Sequence, residues 1–329
     1  MISLDNDPCP VCGQTRSHIL HHTKYPEHHY PVTFTLRRCD NCGLLFNSPR
    51  LDETELAQLY GKNYYFFLRD DAREFGRIVA MYQRSIRLIE DQAAEKRSID
   101  IGSGRGYFPA VLKRLGWNAS GIEISSDAAQ YAREKFALDV FTGTVEQYSA
   151  SSGAKQFPVV SAIDVIEHVP SPDAFVAAAA KIVAPGGWLI IDTPNAAAAN
   201  IQSKDVLWKG FNPFHIYLFS IANLTTLLQR HSMNVVQSFS YGNTPEPMSL
   251  RDHLISGIKK IGLARPAAGA YFAMKKLTIS NGSPEPHVNA AVSRIRSEPS
   301  YTNTADNSGE LAANKTGDNI VVIARKVVG

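Results

Sequence analysis

The chain has 329 residues, 44% of them hydrophobic and 20% charged, and a net charge of +3 at pH 7. That is long enough to bury a sizeable core in more than one domain, and so small a charge, carried by scattered basic residues, argues against a nucleic-acid partner. No run nears the ~18 apolar residues of a membrane span, and the N-terminus, with Asp5 and Asp7, has no apolar leader region, so a cytoplasmic location is expected.

The four cysteines form two knuckles, Cys9-Pro10-Val11-Cys12-Gly13 and Cys39-Asp40-Asn41-Cys42-Gly43. Each pair can turn two thiolates onto one tetrahedral ion, and the following glycine permits the tight turn. A disulfide needs an oxidising compartment, and a redox motif explains one pair but not two. The expectation is a zinc ribbon over 1–48, with Cys9, Cys12, Cys39 and Cys42 closing a structural Zn2+ site. His18, His21, His22, His28 and His29 crowd its loop and read as solvated strand residues, since four thiolates already fill the coordination shell.

Residues 49–97 read as a helical cap or linker. Asp52 is placed to cap a short helix at 53–60, and Phe75, Ile78, Val79, Tyr82, Ile86 and Ile89 mark the buried stripe of a longer one. Between them, Tyr60-Gly61-Lys62-Asn63-Tyr64-Tyr65-Phe66-Phe67 reads either as an aromatic hinge on the core or as a lid in which Tyr64 or Tyr65 closes over a ligand.

Ile99-Asp100-Ile101-Gly102-Ser103-Gly104-Arg105-Gly106 reads as a strand entering a glycine-rich turn and then a helix. Such glycines let a ligand approach the backbone, and the helix offers free amides and its positive dipole end to an anionic group. In Gly121-Ile122-Glu123-Ile124 an acid stands about twenty residues further on, at the tip of the second strand of a βαβ unit, where it can accept both hydroxyls of a ribose. The glycines at 102, 104 and 106 spell Gly-x-Gly-x-Gly, whereas the dinucleotide fingerprint is Gly-x-Gly-x-x-Gly.

Three later segments complete a pattern: Val159-Val160-Ser161-Ala162-Ile163-Asp164-Val165-Ile166-Glu167-His168-Val169, Ala184-Pro185-Gly186-Gly187-Trp188-Leu189-Ile190-Ile191-Asp192-Thr193-Pro194-Asn195, and Asn319-Ile320-Val321-Val322-Ile323-Ala324-Arg325. With the glycine turn they resemble, in order, motif I, the fourth strand with its Glu-His loop, the Pro-Gly-Gly turn with the fifth strand, and the closing strand of the class I S-adenosylmethionine (SAM) methyltransferases. The resemblance implies an α/β fold, a doubly wound seven-stranded Rossmann-like methyltransferase sheet, placed over 98–242 plus 319–329 behind the N-terminal zinc ribbon. Alternating strand and helix patterns over 99–242 agree, with Ser220 read as the N-cap of a helix carrying Leu224, Leu227 and Leu228 and a strand following at 234–241.

Residues 243–318 form an insertion where the family has a hairpin. Its first part, 250–279, mixes Leu254, Ile255 and Ile258 with Lys259, Lys260 and Lys275, and reads as a cap on the substrate cleft or sheet edge. Weak peripheral contact with an anionic membrane is the other reading. Its second part, 281–318, is rich in Ser, Asn, Pro, Thr and Ala and is expected to be disordered.

Carried over position by position, the resemblance implies SAM as cofactor. Gly102, Ser103 and Gly104 would wrap its methionine part, with Asp100 fixing the loop, Asp164 near the amino end and Tyr64 over the sulfonium. Glu123 would take the ribose hydroxyls and Ile124 would pack on adenine. Thr144 stands where many relatives carry an acid for the adenine amino group, which leaves adenine to the Val145 backbone. Methyl transfer needs the acceptor held in line and water excluded, and a hydroxyl or enolisable carbon acceptor also needs a base. His215 and His168 are the candidate bases, assisted by Tyr217. The expected function is methyl transfer to oxygen or carbon of a small-molecule acceptor. The ribbon and Tyr-Tyr pair resemble those of sugar C-methyltransferases acting on nucleotide-linked keto sugars, and the Glu-His loop resembles that of quinone O-methyltransferases. An RNA or protein methyltransferase using the ribbon for recognition, and a non-catalytic SAM-binding protein, are the alternatives.

Overall fold

The computed structural model describes residues 1–23, 33–52, 54–56, 71–198, 201, 212–242, 284–297 and 317–328. The N-terminal module contributes β1 (Ser17–Thr23), β2 (Phe34–Cys39) and β3 (Leu45–Ser48). The core contributes β4 (Arg97–Ile101), β5 (Asn118–Glu123), β6 (Asp139–Thr142), β7 (Phe157–Ile163) and β8 (Val183–Pro194). After it come the two-residue β9 (Tyr217–Leu218), β10 (Met233–Tyr241) and β11 (Asn319–Lys326).

Seven of these strands form one sheet in the order β10-β11-β8-β7-β4-β5-β6. The strands from β8 to β6 run parallel, while β11 and β10 are antiparallel. A parallel sheet is buried on both faces, so its strands read as continuous apolar runs. In β8, Leu189 and Ile191 enter one core cluster while Trp188 and Ile190 enter the other; in β11, Ile320 and Val322 oppose Val321 and Ile323 in the same way. Each such side chain contributes about 1.5–3 kcal/mol of burial. Strand order reverses between β4 and β7, so the loops leaving their C-terminal ends diverge and open a crevice.

One face of the sheet is covered by α1 (Asp71–Met81), α2 (Tyr107–Arg114) and α3 (Ser126–Phe136). The polypeptide continues from α1 through a π turn at Tyr82–Ile86 into Arg87–Ile89, and Phe75, Ile78, Val79, Tyr82, Ile86 and Ile89 are all buried, as their spacing predicts. The other face carries α4 (Val145–Ala150), α5 (Pro172–Ile182), α6 (Ile221–Arg230) and the N-terminal module. Two predicted caps are present. Ser220 Oγ accepts from Asn223 N at 3.2 Å while Asn223 Oδ1 accepts from Ser220 N at 3.0 Å. Asp52 and Glu55 exchange the same pair of bonds at 2.9 and 2.8 Å.

The insertion departs from expectation. Within 281–318, read as disordered, lies α7 (Glu285–Ser297), which buries Val288, Ala291, Val292 and Ile295 against α1 and α2. These are small apolar residues at i, i+3, i+4 and i+7, and they suffice because they complete an existing surface and need not form a core of their own. Arg87 Nη1 donates to Ile295 O at 2.9 Å, and Arg114 pairs with Glu285 at 2.6 Å, fastening both ends. The expectations for Tyr64, Tyr65 and 250–279 lie outside the described residues. No helix among the described residues is long and apolar enough to cross a membrane.

The N-terminal module is joined to the core by a sheet of its own. Its order is β1-β2-β3-β9, with Leu45 opposite Leu218 and Phe46 opposite Tyr217.

Candidate functional site

The crevice begins at the turn after β4. Gly102, Gly104 and Gly106 all have left-handed backbones, with φ of 71, 55 and 77°. They are glycine for different reasons. A Cβ on Gly102 would lie 2.5 Å from Val165 Cγ2, and one on Gly106 would lie 2.7 Å from Ala132 Cβ. Among the described residues, a Cβ on Gly104 would meet nothing within 4 Å, so the turn presents bare backbone there.

Glu123 at the end of β5 closes the turn from the side. Its Oε2 accepts from Gly104 N and its Oε1 from Ser125 N, each at 2.7 Å. Burial raises its carboxyl above the usual range, opposed by those amide bonds. Ile124 follows with 54% of its surface exposed, an apolar wall beside the carboxylate. Asp100 is buried beneath the turn, accepts from Ser161 Oγ at 2.6 Å, and is pushed up to about 7 by burial. Thr144 opens the helix after β6. Its Oγ1 accepts from Gln147 N at 3.3 Å and its own N–H donates to Gln147 Oε1 at 2.9 Å, so the side chain caps α4. Val145 is buried behind it.

Asp164, at the end of β7, holds a left-handed φ of 53°, a strained state for a residue with a side chain. Its N–H donates to Asp192 O at 2.9 Å and its Oδ2 pairs with Arg77 Nη2 at 2.5 Å. Asp192 in turn accepts from Tyr241 Oη on both carboxylate oxygens at 2.8 Å, and Arg84 lies over the Tyr241 ring at 3.7 Å. Burial pushes Asp192 to about 7. The sequence reading missed this network, although an acid closing the apolar run of Leu189, Ile190 and Ile191 was a visible signal.

Beyond Asp164, a short 3-10 turn at Ile166–His168 brings up Glu167 and His168. Glu167 is fully buried. Its Oε2 accepts from Thr193 Oγ1 at 2.8 Å, and its Oε1 has no hydrogen-bond partner among the described residues and lies 3.8 Å from His168 Nε2. Burial raises the Glu167 carboxyl well above its ordinary range and lowers the His168 imidazolium. His168 Nδ1 lies 3.0 Å from Phe214 O; a carbonyl only accepts, so Nδ1 carries the hydrogen and Nε2 is left as the basic nitrogen. The His215 ring stands edge-on to His168 with centroids 4.8 Å apart. Structure thus unites the two histidines that sequence could only name separately. Tyr217 follows two residues after His215 in β9 and is buried, and burial pushes its phenol up to about 12.

The four cysteines meet as predicted. Cys9 and Cys42 Sγ lie 3.5 Å apart, as do Cys12 and Cys39, and all four sulfurs fall within 4.8 Å of one another. Those separations are too long for disulfides and near the ~3.8 Å edge of a tetrahedron with ~2.3 Å zinc–sulfur bonds. The hydrogen bond from Cys42 draws the Cys9 thiol down, toward the thiolate form that a cation binds. His18 is bonded to Asp40 at 2.7 Å and His22 to Thr35 at 3.1 Å, on the surface of the ribbon. Both knuckles are tied to α6: Asn223 Nδ2 donates to Cys42 O at 2.9 Å, and Arg230 donates to the carbonyls of Pro10 and Val11.

The crevice suits an adenosine-bearing cofactor by its chemistry, with bare backbone at Gly104, an acid at Glu123 and an apolar wall at Ile124. Comparison with known proteins agrees. A family model described as a methyltransferase domain matches residues 73–238. Ubiquinone biosynthesis O-methyltransferase of Thiobacillus denitrificans is 32% identical over 136 residues, which are 39% of this chain and 58% of that protein. The enzyme of the same name from Burkholderia vietnamiensis is 37% identical over 106 residues, 31% of this chain and 46% of its own length. The chain spans about half the length of the curated relatives it matches. A crystal structure of a SAM-dependent methyltransferase from Archaeoglobus fulgidus superposes with a TM-score of 0.50 at 17% identity, covering 80% of this chain and all of that one, which shows the shared fold. The chain therefore belongs to the class I SAM-dependent methyltransferase family.

Proposed function

We propose that this protein transfers a methyl group from SAM to a hydroxyl oxygen of a small-molecule acceptor, with His215 as general base and His168 behind it. The observation that carries this reading is the edge-on histidine pair at the end of β7, beside the glycine turn. SAM supplies a methyl group on positively charged sulfur, already activated for in-line displacement. The residues suited to hold it are Gly102, Ser103 and Gly104 at its methionine part, Glu123 at its ribose and Ile124 at its base. Val145 and Asp164 stand at the two sides of that crevice. His168, buried with Nδ1–H fixed on Phe214 O, stays neutral and keeps Nε2 basic. His215 is partly exposed and so open to an acceptor, whose proton it takes as the oxygen is methylated. Near-balanced charge and relatives named for ubiquinone biosynthesis support a small acceptor with an acidic hydroxyl.

The cysteine cluster holds a structural zinc ion on this reading, and four reduced thiols suit a cytoplasmic setting. The ribbon ahead of the core also favours a second reading, C-methylation of a nucleotide-linked keto sugar, in which the same base removes a carbon-bound proton. The test is incubation with methyl-labelled SAM and host extract, followed by separation by mass. Label in a low-mass fraction supports the proposal, and the mass and fragmentation of the product tell O- from C-methylation. Label confined to RNase- or protease-sensitive material overturns it. His215→Gln is expected to slow transfer while leaving SAM affinity intact.

A further inference from the structure

We propose that Asn47 is a positioning residue for His215, so that the cysteine ribbon is a functioning wall of the acceptor site. The inference rests on the reading of His215 as base. Asn47 lies in β3 and is 3% exposed. Its Nδ2 donates to Asn212 O at 3.1 Å and to His215 O at 2.9 Å, and its backbone N–H donates to Ile216 O at 3.0 Å. One residue of the ribbon therefore holds the carbonyls of three positions in the loop that carries the histidine.

The same loop is gripped from the core. Ile216 N donates to Glu167 O at 2.8 Å, and Phe214 O receives His168 Nδ1. Asn212 Oδ1 accepts from the amides of Phe214 and His215 at 2.9 and 3.0 Å, fixing the turn between the two grips. The backbone of His215 is thus clamped between β3 and the Glu167-His168 turn, and the clamp sets how far its ring stands from His168.

A side-chain amide suits this place because a single nitrogen brings two hydrogens to two carbonyls. It is also costly there. Asn47 Oδ1 is buried with no hydrogen-bond partner among the described residues, a penalty that an apolar residue of similar volume would avoid. The residue is chosen for what its nitrogen holds. Asn47 shares the β2–β3 hairpin with Cys39 and Cys42, so the second cysteine knuckle and the clamp belong to one hairpin.

Asn47→Asp keeps the shape and removes both donors, and Asn47→Ala removes the side chain. Each is expected to lower the rate of methyl transfer about ten- to a hundredfold, the scale of a displacement near 1 Å. The probe is methyl-labelled SAM with the low-mass extract fraction as acceptor. SAM affinity is expected to stay within twofold of wild type, and bound metal per chain to match it. The readout specific to positioning is the NMR spectrum of the labelled histidine rings in the full chain, with His215 assigned from His215→Gln. The His215 signals should shift in both variants while those of His287, stacked on Phe75, stay in place. Unmoved His215 signals, or an unchanged rate, overturn the proposal. In the wild-type protein the Asn47 side-chain amide must show nuclear Overhauser contacts to residues 212 and 215, and their absence overturns it whatever the variants do. Full activity in His215→Gln would instead sink the base reading while the ring shift still reported the clamp, so the two failures are distinguishable.

Discussion

Replacing Glu123 tests the cofactor side of the crevice. Each of its carboxylate oxygens accepts one backbone amide at 2.7 Å, from Gly104 and from Ser125. Charge-assisted bonds of this kind contribute roughly 1.5–3 kcal/mol each. Glutamine keeps one acceptor oxygen but turns an NH2 group toward the other amide, so one of the two bonds is lost and the turn loosens at Gly104. Losing the charge also removes one strong acceptor for a ribose hydroxyl, a further ~1.5–3 kcal/mol, or about a ten- to hundredfold rise in Kd. The assay is calorimetric titration of Glu123→Gln with S-adenosylhomocysteine, with circular dichroism to confirm that the variant is folded. A Kd within twofold of wild type in a folded variant would refute the placement of Glu123 at the ribose.

Three further outcomes are expected. Asp100 sits at about 7 in the folded protein against 3.8 ordinarily, so the native state keeps a proton that the unfolded chain releases. Its contribution to stability is fully present below about pH 4 and is lost as pH rises toward 7, up to ~4 kcal/mol in all; Asp100→Asn should flatten the slope of denaturant stability between pH 4.5 and 7.5, and an unaltered slope would count against the buried protonated acid. Cys39→Ser should lose bound zinc and render the N-terminal module protease-sensitive without changing S-adenosylhomocysteine affinity; one zinc per chain persisting in the variant would rule out the four-cysteine ligand set. Gly102→Ala, whose Cβ would collide with Val165 on a backbone already left-handed, should cost ~2–5 kcal/mol of stability, clash and strain together, whereas Gly104→Ala should cost only the strain, about 1–2 kcal/mol, and mainly weaken cofactor binding; equal losses of affinity in two folded variants would contradict the bare backbone assigned to Gly104.

The parts of this molecule legible in its sequence are those fixed by local chemistry. The glycine turn, the acid at Glu123, the Ser220 cap and the stripe from Phe75 to Ile89 follow from residue type and spacing over a few turns of chain. What escaped depends on partners far apart in sequence. Nothing near Asn47 tells of a loop at 212–216, and nothing near Tyr241 tells of Asp192 on a neighbouring β-ladder. The helix at Glu285–Ser297 is intermediate. Its stripe at 288, 291, 292 and 295 is regular, but Val and Ala in a setting of Ser, Asn and Pro carry too little apolar surface to declare a helix until the surface of α1 and α2 is there to receive it.

The position of β11 has a consequence for biosynthesis. Of the strands in the large sheet it is made after all the others, yet it lies between β8 and β10 and pairs with both. Until residues 319–326 leave the ribosome, β8 offers a naked ladder of hydrogen-bonding groups, flanked by Leu189, Ile190 and Ile191, and β10 has no partner in that sheet. An exposed apolar edge of this kind invites pairing with other chains. The nascent protein therefore carries an unfinished sheet from the completion of β8 until β11 emerges, and a translational stall ahead of residue 319 would prolong that aggregation-prone form.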